Sequence, residues 1–276
     1  EAWDLYSLEA VALAAEKENS PIVLGFGGMT VNQEWINSFG IEPLGRYANE
    51  LAKSLSVPAA VYLNEVYEID HAKRGIKSGF NSVLLDTSNL SYEENINTTR
   101  ELVKFAHSND AHVQGEVGHL PDFFEDNDSD KLTDPKRAKN FINLTNIDFL
   151  GVSIGNVHMF SKGNYNPQLD LLSRINEIVK IPLVIHGTTG FPDDKIDLAI
   201  KNGVAMFQVG TIIKEAFFNA KKKNIQNIEI IDNIHDFVGS RKEKDFLESG
   251  KAKIIDLISK YINLFNSQNK KNLYGK

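Results

Sequence analysis

The chain has 276 residues, 42% of them hydrophobic and 24% charged, which is typical of a globular protein with a large core. The formal net charge of −7 without a basic stripe argues against nucleic-acid binding, and the absence of cysteine excludes disulfides, thiolate metal sites and cysteine nucleophiles. Because no apolar run reaches the roughly 18 residues of a membrane helix and no signal peptide is visible, we expect a cytoplasmic protein without a membrane partner.

Strand-like and helix-like segments alternate along the whole chain. The predicted strands are 21–25, 58–63, 82–86, 112–116, 149–154, 182–185 and 205–209. The predicted helices are 8–17 (with Ser7 as its N-cap), 44–55, 71–77, 92–107, 135–145, 170–179, 193–202, 213–222 and 248–265. An acidic loop is expected at 122–130.

About seven βα units follow one another without a Pro/Gly-rich linker, which predicts one parallel sheet. The count and the chain length together favour a (β/α)8 TIM barrel over an open sheet. We expect residues 1–276 to form one such domain, with C-terminal helices from about residue 213. In these barrels the functional site lies at the carboxyl ends of the strands.

The segment 183–190 combines a buried strand with a ligand-binding type of turn. An apolar run leads into His186, and the glycine-rich turn 187–190 follows directly. Glycine lets backbone N–H groups approach an anion closely, and Thr188 and Thr189 add hydroxyl donors. A similar strand upstream, 149–154, leads to His158. Two histidines at strand ends, one beside a glycine-rich turn, predict a metal site next to an anion site.

Short motifs follow one another in a fixed order from Trp3 to about Phe218. They are Gly79-Phe80-Asn81-Ser82-Val83 with Asp86 and Ser88, Glu93-Glu94-Asn95-Ile96 with Thr99 and Ala106-His107, Glu116-Val117-Gly118, Thr133-Asp134-Pro135, Gly155-Asn156-Val157-His158 and His186-Gly187-Thr188-Thr189-Gly190. In this order they resemble the class II, metal-dependent fructose- and tagatose-bisphosphate aldolases. The resemblance implies a TIM barrel, a homo-oligomer (dimer or tetramer) and a phosphorylated sugar as small-molecule partner.

The resemblance also implies a site chemistry. In that family three histidines hold a divalent metal, usually zinc, which polarises the ketose carbonyl and stabilises an enediolate. An aspartate beside the first histidine moves the proton of the hydroxyl on carbon 4. His158 and His186 match the second and third metal ligands. The positions that match the phosphate site are Gly187, Thr188, Thr189, Gln208, Val209, Gly210 and Thr211.

The chain departs from the family at the end of the second predicted strand. Asn64 stands where the family has its catalytic aspartate, and Glu65 stands where it has the first metal histidine. Because an amide cannot act as a general base, cleavage of fructose 1,6-bisphosphate is expected to be absent or slow unless Glu65 supplies the base. Glu65 with the two histidines would form a set that binds zinc, manganese or iron. Gln208 also replaces the asparagine of the family's phosphate site.

Other residues near the strand ends remain candidates. Glu116 is either a further metal ligand or a hydrogen-bond partner that orients a ligand histidine. Glu125, with Asp126 beside it in the acidic loop, matches the family's mobile glutamate, which exchanges a proton at carbon 3. Three residues are candidates for substrate contact or for a local base, namely Tyr62, Tyr67 and His119.

These observations predict a metal-dependent, class II aldolase-like enzyme that acts on a phosphorylated ketose or a related sugar phosphate through an enediolate. The reaction is aldol cleavage or, because the aspartate is lost, isomerisation or epimerisation. The alternative is a catalytically silent sugar-phosphate-binding or regulatory protein. The predicted catalytic residues are Asn64, Glu65 and Glu125, and the predicted ligands of a divalent metal, zinc above others, are His158, His186, Glu65 and Glu116.

Overall fold

The computed structural model describes residues 1–27, 32–118, 132–157, 165–226 and 233–273. Across these ranges seven parallel strands form one sheet, in which each strand pairs with its neighbours along the chain. The strands are β1 (Ile22–Phe26), β2 (Ala59–Val66), β3 (Ser82–Leu85), β4 (His112–Val117), β5 (Phe149–Val152), β6 (Leu183–Ile185) and β7 (Val204–Phe207). The predicted parallel α/β sheet is confirmed, whereas an eighth strand is absent from the described elements.

Helices follow the strands in alternation. They are α1 (Leu5–Glu18), α2 (Gln33–Trp35), α3 (Ile41–Ser54), α4 (Ile69–Ser78), α5 (Tyr92–His107), α6 (Pro135–Thr145), α7 (Leu169–Ile178), α8 (Ile196–Lys201), α9 (Thr211–Gln226), α10 (Ile234–Phe237) and α11 (Glu248–Leu264). A π-helical turn, Ile36–Gly40, joins α2 to α3, and neither α2 nor this turn was predicted. The helices at 92–107 and 135–145 have the predicted bounds.

The start of α1 corrects one prediction. Asp4, not Ser7, is the N-cap: its side chain accepts a hydrogen bond of 2.7 Å from the Ser7 backbone N–H. The Ser7 hydroxyl accepts the Asp4 backbone N–H at 3.0 Å, which completes a reciprocal capping box. Ser7 occupies the third helical position because Asp4 is the stronger acceptor and begins the helix three residues earlier.

The C-terminal helices pack beside the chain start. Helix α11 lies against both α1 and α9, and the rings of Trp3 and Phe217 meet edge to face at 5.3 Å. No helix within the described ranges combines the length and apolarity that crossing a bilayer requires. A cavity of about 360 Å³ lies at the amino ends of the strands, lined by Val23, Ala60, Phe149, Val184 and Met206 among others.

The first two residues lie between the edges of the sheet. The Ala2 N–H donates to the Gly25 carbonyl at 2.7 Å, and Ala2 forms a parallel bridge with Phe26 of β1. The backbone nitrogen of Glu1 donates to the carbonyl of Val209, just beyond β7, at 2.6 Å. A short segment therefore contacts both edge strands at their carboxyl ends.

Candidate active site

The carboxyl end of β2 is irregular where the two departures from the family occur. The pairing of β2 with β3 shifts register between Leu63 and Val66, and Glu65 has a φ of 54°. A left-handed backbone costs a non-glycine residue about 1–2 kcal/mol and is found in bulges that re-aim side chains. Regular alternation would turn Asn64 and Glu65 to opposite faces. With the bulge, Asn64 contacts Glu1 and Glu65 contacts His186.

His186, directly after β6, lies between two carboxylates. Its Nδ1 atom is 3.2 Å from Glu65 Oε1 and its Nε2 atom is 3.1 Å from Glu116 Oε1, and the imidazole is almost fully buried. The two nitrogens lie on different edges of the ring, so the two carboxylates contact different edges. A cation bound through one nitrogen therefore has only one of these carboxylates beside it.

A buried amide network holds the Nε2 edge of His186. Gln114 Nε2 lies 2.6 Å from His186 Nε2 and donates to Glu116 Oε1 at 3.1 Å. The Tyr62 hydroxyl donates to Gln114 Oε1 at 3.0 Å, and the Gln208 amide donates to both Tyr62 and Gln114 at 3.2 Å. With the ring proton on Nε2, this edge donates to the Glu116 carboxylate, and Nδ1 presents its lone pair towards Glu65.

Tyr62 is a fixed donor in that network. Burial raises the pKa of the Tyr62 hydroxyl well above its usual value, and the nearby carboxylates of Glu116 and Glu65 raise it further. The phenol therefore remains protonated at neutral pH. This favours an orienting role for Tyr62 over the role of a local base.

The turn after His186 has the features of an anion site. Gly187 has a φ of 65°, and a Cβ there would lie 2.2 Å from the Val157 carbonyl oxygen, so only glycine fits. Thr188 is buried, and its hydroxyl has no hydrogen-bond partner among the described residues. Thr189 Oγ1 accepts the Ile212 N–H at 3.1 Å, which ties the turn to the start of α9. The amino end of a helix favours negative charge.

The remaining predicted phosphate residues lie at the end of β7. Gln208 is buried with its side chain in the Tyr62–Gln114 network, and Thr211 begins α9. Val209 offers its carbonyl oxygen to the Glu1 backbone nitrogen. A Cβ on Gly210 would lie 2.6 Å from Glu1 Oε2. The carboxylate of Glu1 thus lies over Gly210, at the same strand ends as the turn.

The edge between Glu65 and His186 has the dimensions of a metal site. Two ligands of one tetrahedral zinc at bond lengths near 2.0–2.2 Å are roughly 3.3–3.5 Å apart. The observed 3.2 Å is close to that separation, and both donors suit zinc, manganese or iron. Within the described ranges no group of three or more His, Asp and Glu side chains is arranged to hold an ion. The described residues therefore fit as two donors, and the predicted ligand His158 lies outside them.

Other predicted residues also lie outside the described ranges, namely His119, Glu125 and Asp126. The structure adds residues that sequence reasoning missed. Gln114 had a signal, because strand alternation places it on the same face as Glu116. Asn156, fully buried, donates its amide to the His186 carbonyl at 3.0 Å and so fixes the start of the turn. The position of Glu1 in the site could not be predicted, because no strand was predicted around it and a single carboxylate forms no sequence motif.

Comparison with known proteins agrees with this architecture. The family model for class II fructose-bisphosphate aldolase matches residues 2–270. A sulfofructosephosphate aldolase from Alkalicoccus urumqiensis is 29% identical over 277 residues, which cover 99% of this chain and 92% of that protein.

Solved structures of similar proteins share the fold. The YdjI aldolase from Escherichia coli K12 superposes with a TM-score of 0.79 and 26% identity, covering 98% of this chain and 91% of that one. A protein from Coccidioides immitis, described as a candidate fructose-1,6-biphosphate aldolase, gives a TM-score of 0.80 and 25% identity, covering 99% and 91%. The resemblance drawn from the motifs is confirmed, and the chain belongs to the class II fructose-bisphosphate aldolase family.

Proposed function

We propose that this protein is a metal-dependent enzyme that cleaves or forms a carbon–carbon bond in a phosphorylated ketose through an enediolate. One observation carries the proposal: His186, which contacts Glu65, is followed directly by the turn of Gly187, Thr188 and Thr189. A ketose phosphorylated on carbon 1 has its phosphate one carbon from the carbonyl. A metal on the imidazole would lie beside the carbonyl of such a substrate, and the adjacent turn would lie beside its phosphate.

The anion turn supports a phosphorylated over an unphosphorylated substrate. The Thr188 hydroxyl is buried, and no described group bonds to it. A buried hydroxyl left unpaired costs free energy, which a phosphate oxygen would relieve by accepting its proton. Thr189 joins the turn to α9, so the positive end of that helix faces the same side. We assign Gly187, Thr188, Thr189 and Thr211 to phosphate binding on this basis, and leave out Gly210 because the Glu1 carboxylate lies over it.

We assign the divalent metal, zinc above others, to His186 and Glu65, with His158 as the further ligand. When bound, the metal polarises the ketose carbonyl and stabilises the enediolate. Glu116, on the other edge of the imidazole at 3.1 Å, orients His186 and does not share its ion. Gln114 contacts the same edge of the imidazole, and the Tyr62 hydroxyl holds Gln114 in place.

We also propose that the sheet closes as a (β/α)8 barrel through the segment Glu1–Ala2. The contacts of Ala2 with Gly25 and Phe26 on one side, and of Glu1 with Val209 on the other, support this closure. A closed barrel leaves no sheet edge exposed and gathers the strand ends around one site. We propose a homo-oligomeric state, dimer or tetramer, on the family resemblance alone.

A second candidate is a silent sugar-phosphate-binding protein, and Asn64 is the observation that favours it. Asn64 is fully buried, and its amide occupies the position of the family's catalytic aspartate. An amide neither accepts nor releases a proton near neutral pH. Isomerisation or epimerisation through an enediolate breaks a carbon–hydrogen bond but no carbon–carbon bond, so it needs no base at the hydroxyl on carbon 4 and would also tolerate this loss.

Metal analysis of protein purified without chelator, combined with product analysis on ketose 1-phosphates and 1,6-bisphosphates, tests the proposal. We expect near-stoichiometric divalent metal and release of dihydroxyacetone phosphate. An isomeric or epimeric ketose without cleavage would instead favour a diverged enzyme. Tight phosphosugar binding without any product would favour the silent binder, and neither binding nor metal would contradict both.

A further inference from the structure

Glu1 brings a carboxylate into the site that no sequence pattern predicted. Its backbone nitrogen bonds to the Val209 carbonyl at 2.6 Å, and the next residue pairs with β1. The side chain extends over Gly210, where a Cβ would lie 2.6 Å from Oε2, and beside Gly27, where a Cβ would lie 3.0 Å from Cδ. Two glycines thus leave the space that the carboxylate fills.

The carboxylate is bonded to the position where the family has its base. Asn64 Nδ2 donates to Glu1 Oε1 from a side chain that is fully buried. An amide NH₂ is a donor and stabilises a neighbouring carboxylate, whereas an aspartate at position 64 would repel it. The pair therefore contains one carboxylate and one amide, with the carboxylate on Glu1.

The other acid–base groups nearby are otherwise engaged. Glu65 contacts the imidazole of His186, and Glu116 contacts its opposite edge. The Tyr62 hydroxyl donates to Gln114 and remains protonated at neutral pH. Of the carboxylates described here, Glu1 is the one that lies against Asn64.

We propose that Glu1 is the catalytic carboxylate of this enzyme, in place of the aspartate that Asn64 replaces; this rests on the proposed aldol function. In cleavage, Glu1 takes the proton of the hydroxyl on carbon 4, and a carbonyl forms there as the bond between carbons 3 and 4 breaks. The electron pair of that bond passes to carbon 3 and gives the enediolate of the ketose half. Carbon 3 then takes up one proton and Glu1 releases its own to solvent, so the step is balanced.

The test separates two partial reactions. Exchange of a carbon-bound hydrogen of dihydroxyacetone phosphate with D₂O requires the enediolate but no base at carbon 4. Cleavage of fructose 1,6-bisphosphate, or of whichever ketose phosphate the wild type cleaves fastest, requires both. We expect Glu1→Gln to lower cleavage by about 10²–10⁴-fold and to retain exchange within a few-fold, which also reports that the variant is folded. The control is Glu93→Gln, which removes the same single negative charge from an exposed position on α5. It should change neither rate.

Relocating the carboxylate makes the test sharper. Asn64→Asp alone sets two carboxylates against each other and should slow cleavage. The double variant Glu1→Gln with Asn64→Asp restores one carboxylate and one amide in swapped positions, and should cleave at least tenfold faster than Glu1→Gln. Cleavage by Glu1→Gln at the wild-type rate, or a double variant no faster than Glu1→Gln, would overturn the role of Glu1 while the aldol function stands. A wild type that neither exchanges nor cleaves would contradict the proposed function and the role of Glu1 together.

Discussion

Glu65 Oε1 lies 3.2 Å from His186 Nδ1, although 121 residues separate the two in the chain. The contact depends on the left-handed backbone of Glu65, which turns its side chain to the same interior as Asn64. A strained conformation at a strand end is the kind of feature that persists where function requires it. This contact is the basis on which we propose Glu65 as a metal ligand.

Removing the charge of Glu65 should release the metal. In Glu65→Gln the side chain keeps its shape, but an amide oxygen is a weaker ligand for a divalent cation than a carboxylate. We expect zinc affinity to fall by about 10–100-fold or more, measured by competition with a chromophoric chelator. Glu68→Gln, an exposed carboxylate three residues further along, is the matched control. Equal zinc affinity in wild type and Glu65→Gln would remove Glu65 from the ligand set.

Gly187 should tolerate no side chain. In Gly187→Ala the new Cβ meets the Val157 carbonyl oxygen at 2.2 Å and the residue keeps a φ of 65°. Gly239→Ala has a comparable φ of 80° but open space around it, so it isolates the backbone cost of about 1–2 kcal/mol. Urea denaturation should show a larger loss for Gly187→Ala, and calorimetry should show weaker dihydroxyacetone phosphate binding in that variant alone. Equal losses in both variants would contradict the close approach.

Thr188 should separate binding from stability. Thr188→Val removes a buried hydroxyl that has no partner among the described residues, so the free energy of unfolding should stay constant or rise. Phosphosugar affinity should fall by roughly 10–100-fold, the worth of one hydrogen bond to a charged group. Thr145→Val, which loses the 2.7 Å bond to the Phe141 carbonyl, should show the reverse pattern. Unchanged affinity in Thr188→Val would exclude its hydroxyl from the anion site.

Lys221 should make stability depend on pH. Its buried ammonium lies 4.1 Å from the centre of the Phe246 ring, and burial lowers the pKa of Lys221 to about 8. An unfolded lysine holds its proton to about pH 10.4, so between about pH 8 and pH 10 the unfolded chain binds more protons. Its contribution to the free energy of unfolding therefore rises with pH across that window.

The comparison with Lys221→Met measures that contribution. The variant should be the more stable protein below pH 8, and its advantage over wild type should shrink as the pH approaches 9.5. Lys223→Met, at an exposed position on the same helix, should track the wild type. Chemical denaturation at several pH values provides the measurement, and a pH-independent difference between wild type and Lys221→Met would contradict the lowered pKa.

Periodic patterns predicted the scaffold, because short stretches of sequence show both the apolar runs of strands buried on two faces and the apolar stripe of amphipathic helices. Tyr92–His107 and Pro135–Thr145 have the predicted bounds, and in the structure Ser91 and Asp134 cap their amino ends. The candidate site was harder to predict from the sequence. The bulge at Glu65 breaks the alternation on which strand reasoning relies, and Glu1 reaches Asn64 only through pairing of distant strands. Such contacts are set by the pairing of segments that are distant in the sequence and have no local signal.

We propose that His186, Glu65 and the turn at Gly187 form a metal-dependent site for enediolate formation on a phosphorylated ketone. Hydrogen–deuterium exchange into dihydroxyacetone phosphate, followed by NMR, measures enediolate formation without any knowledge of the aldehyde half. We expect exchange that requires the protein, stops with a chelator, returns with zinc and does not occur with unphosphorylated dihydroxyacetone. No exchange by zinc-loaded protein, or equal exchange of both ketones, would contradict it.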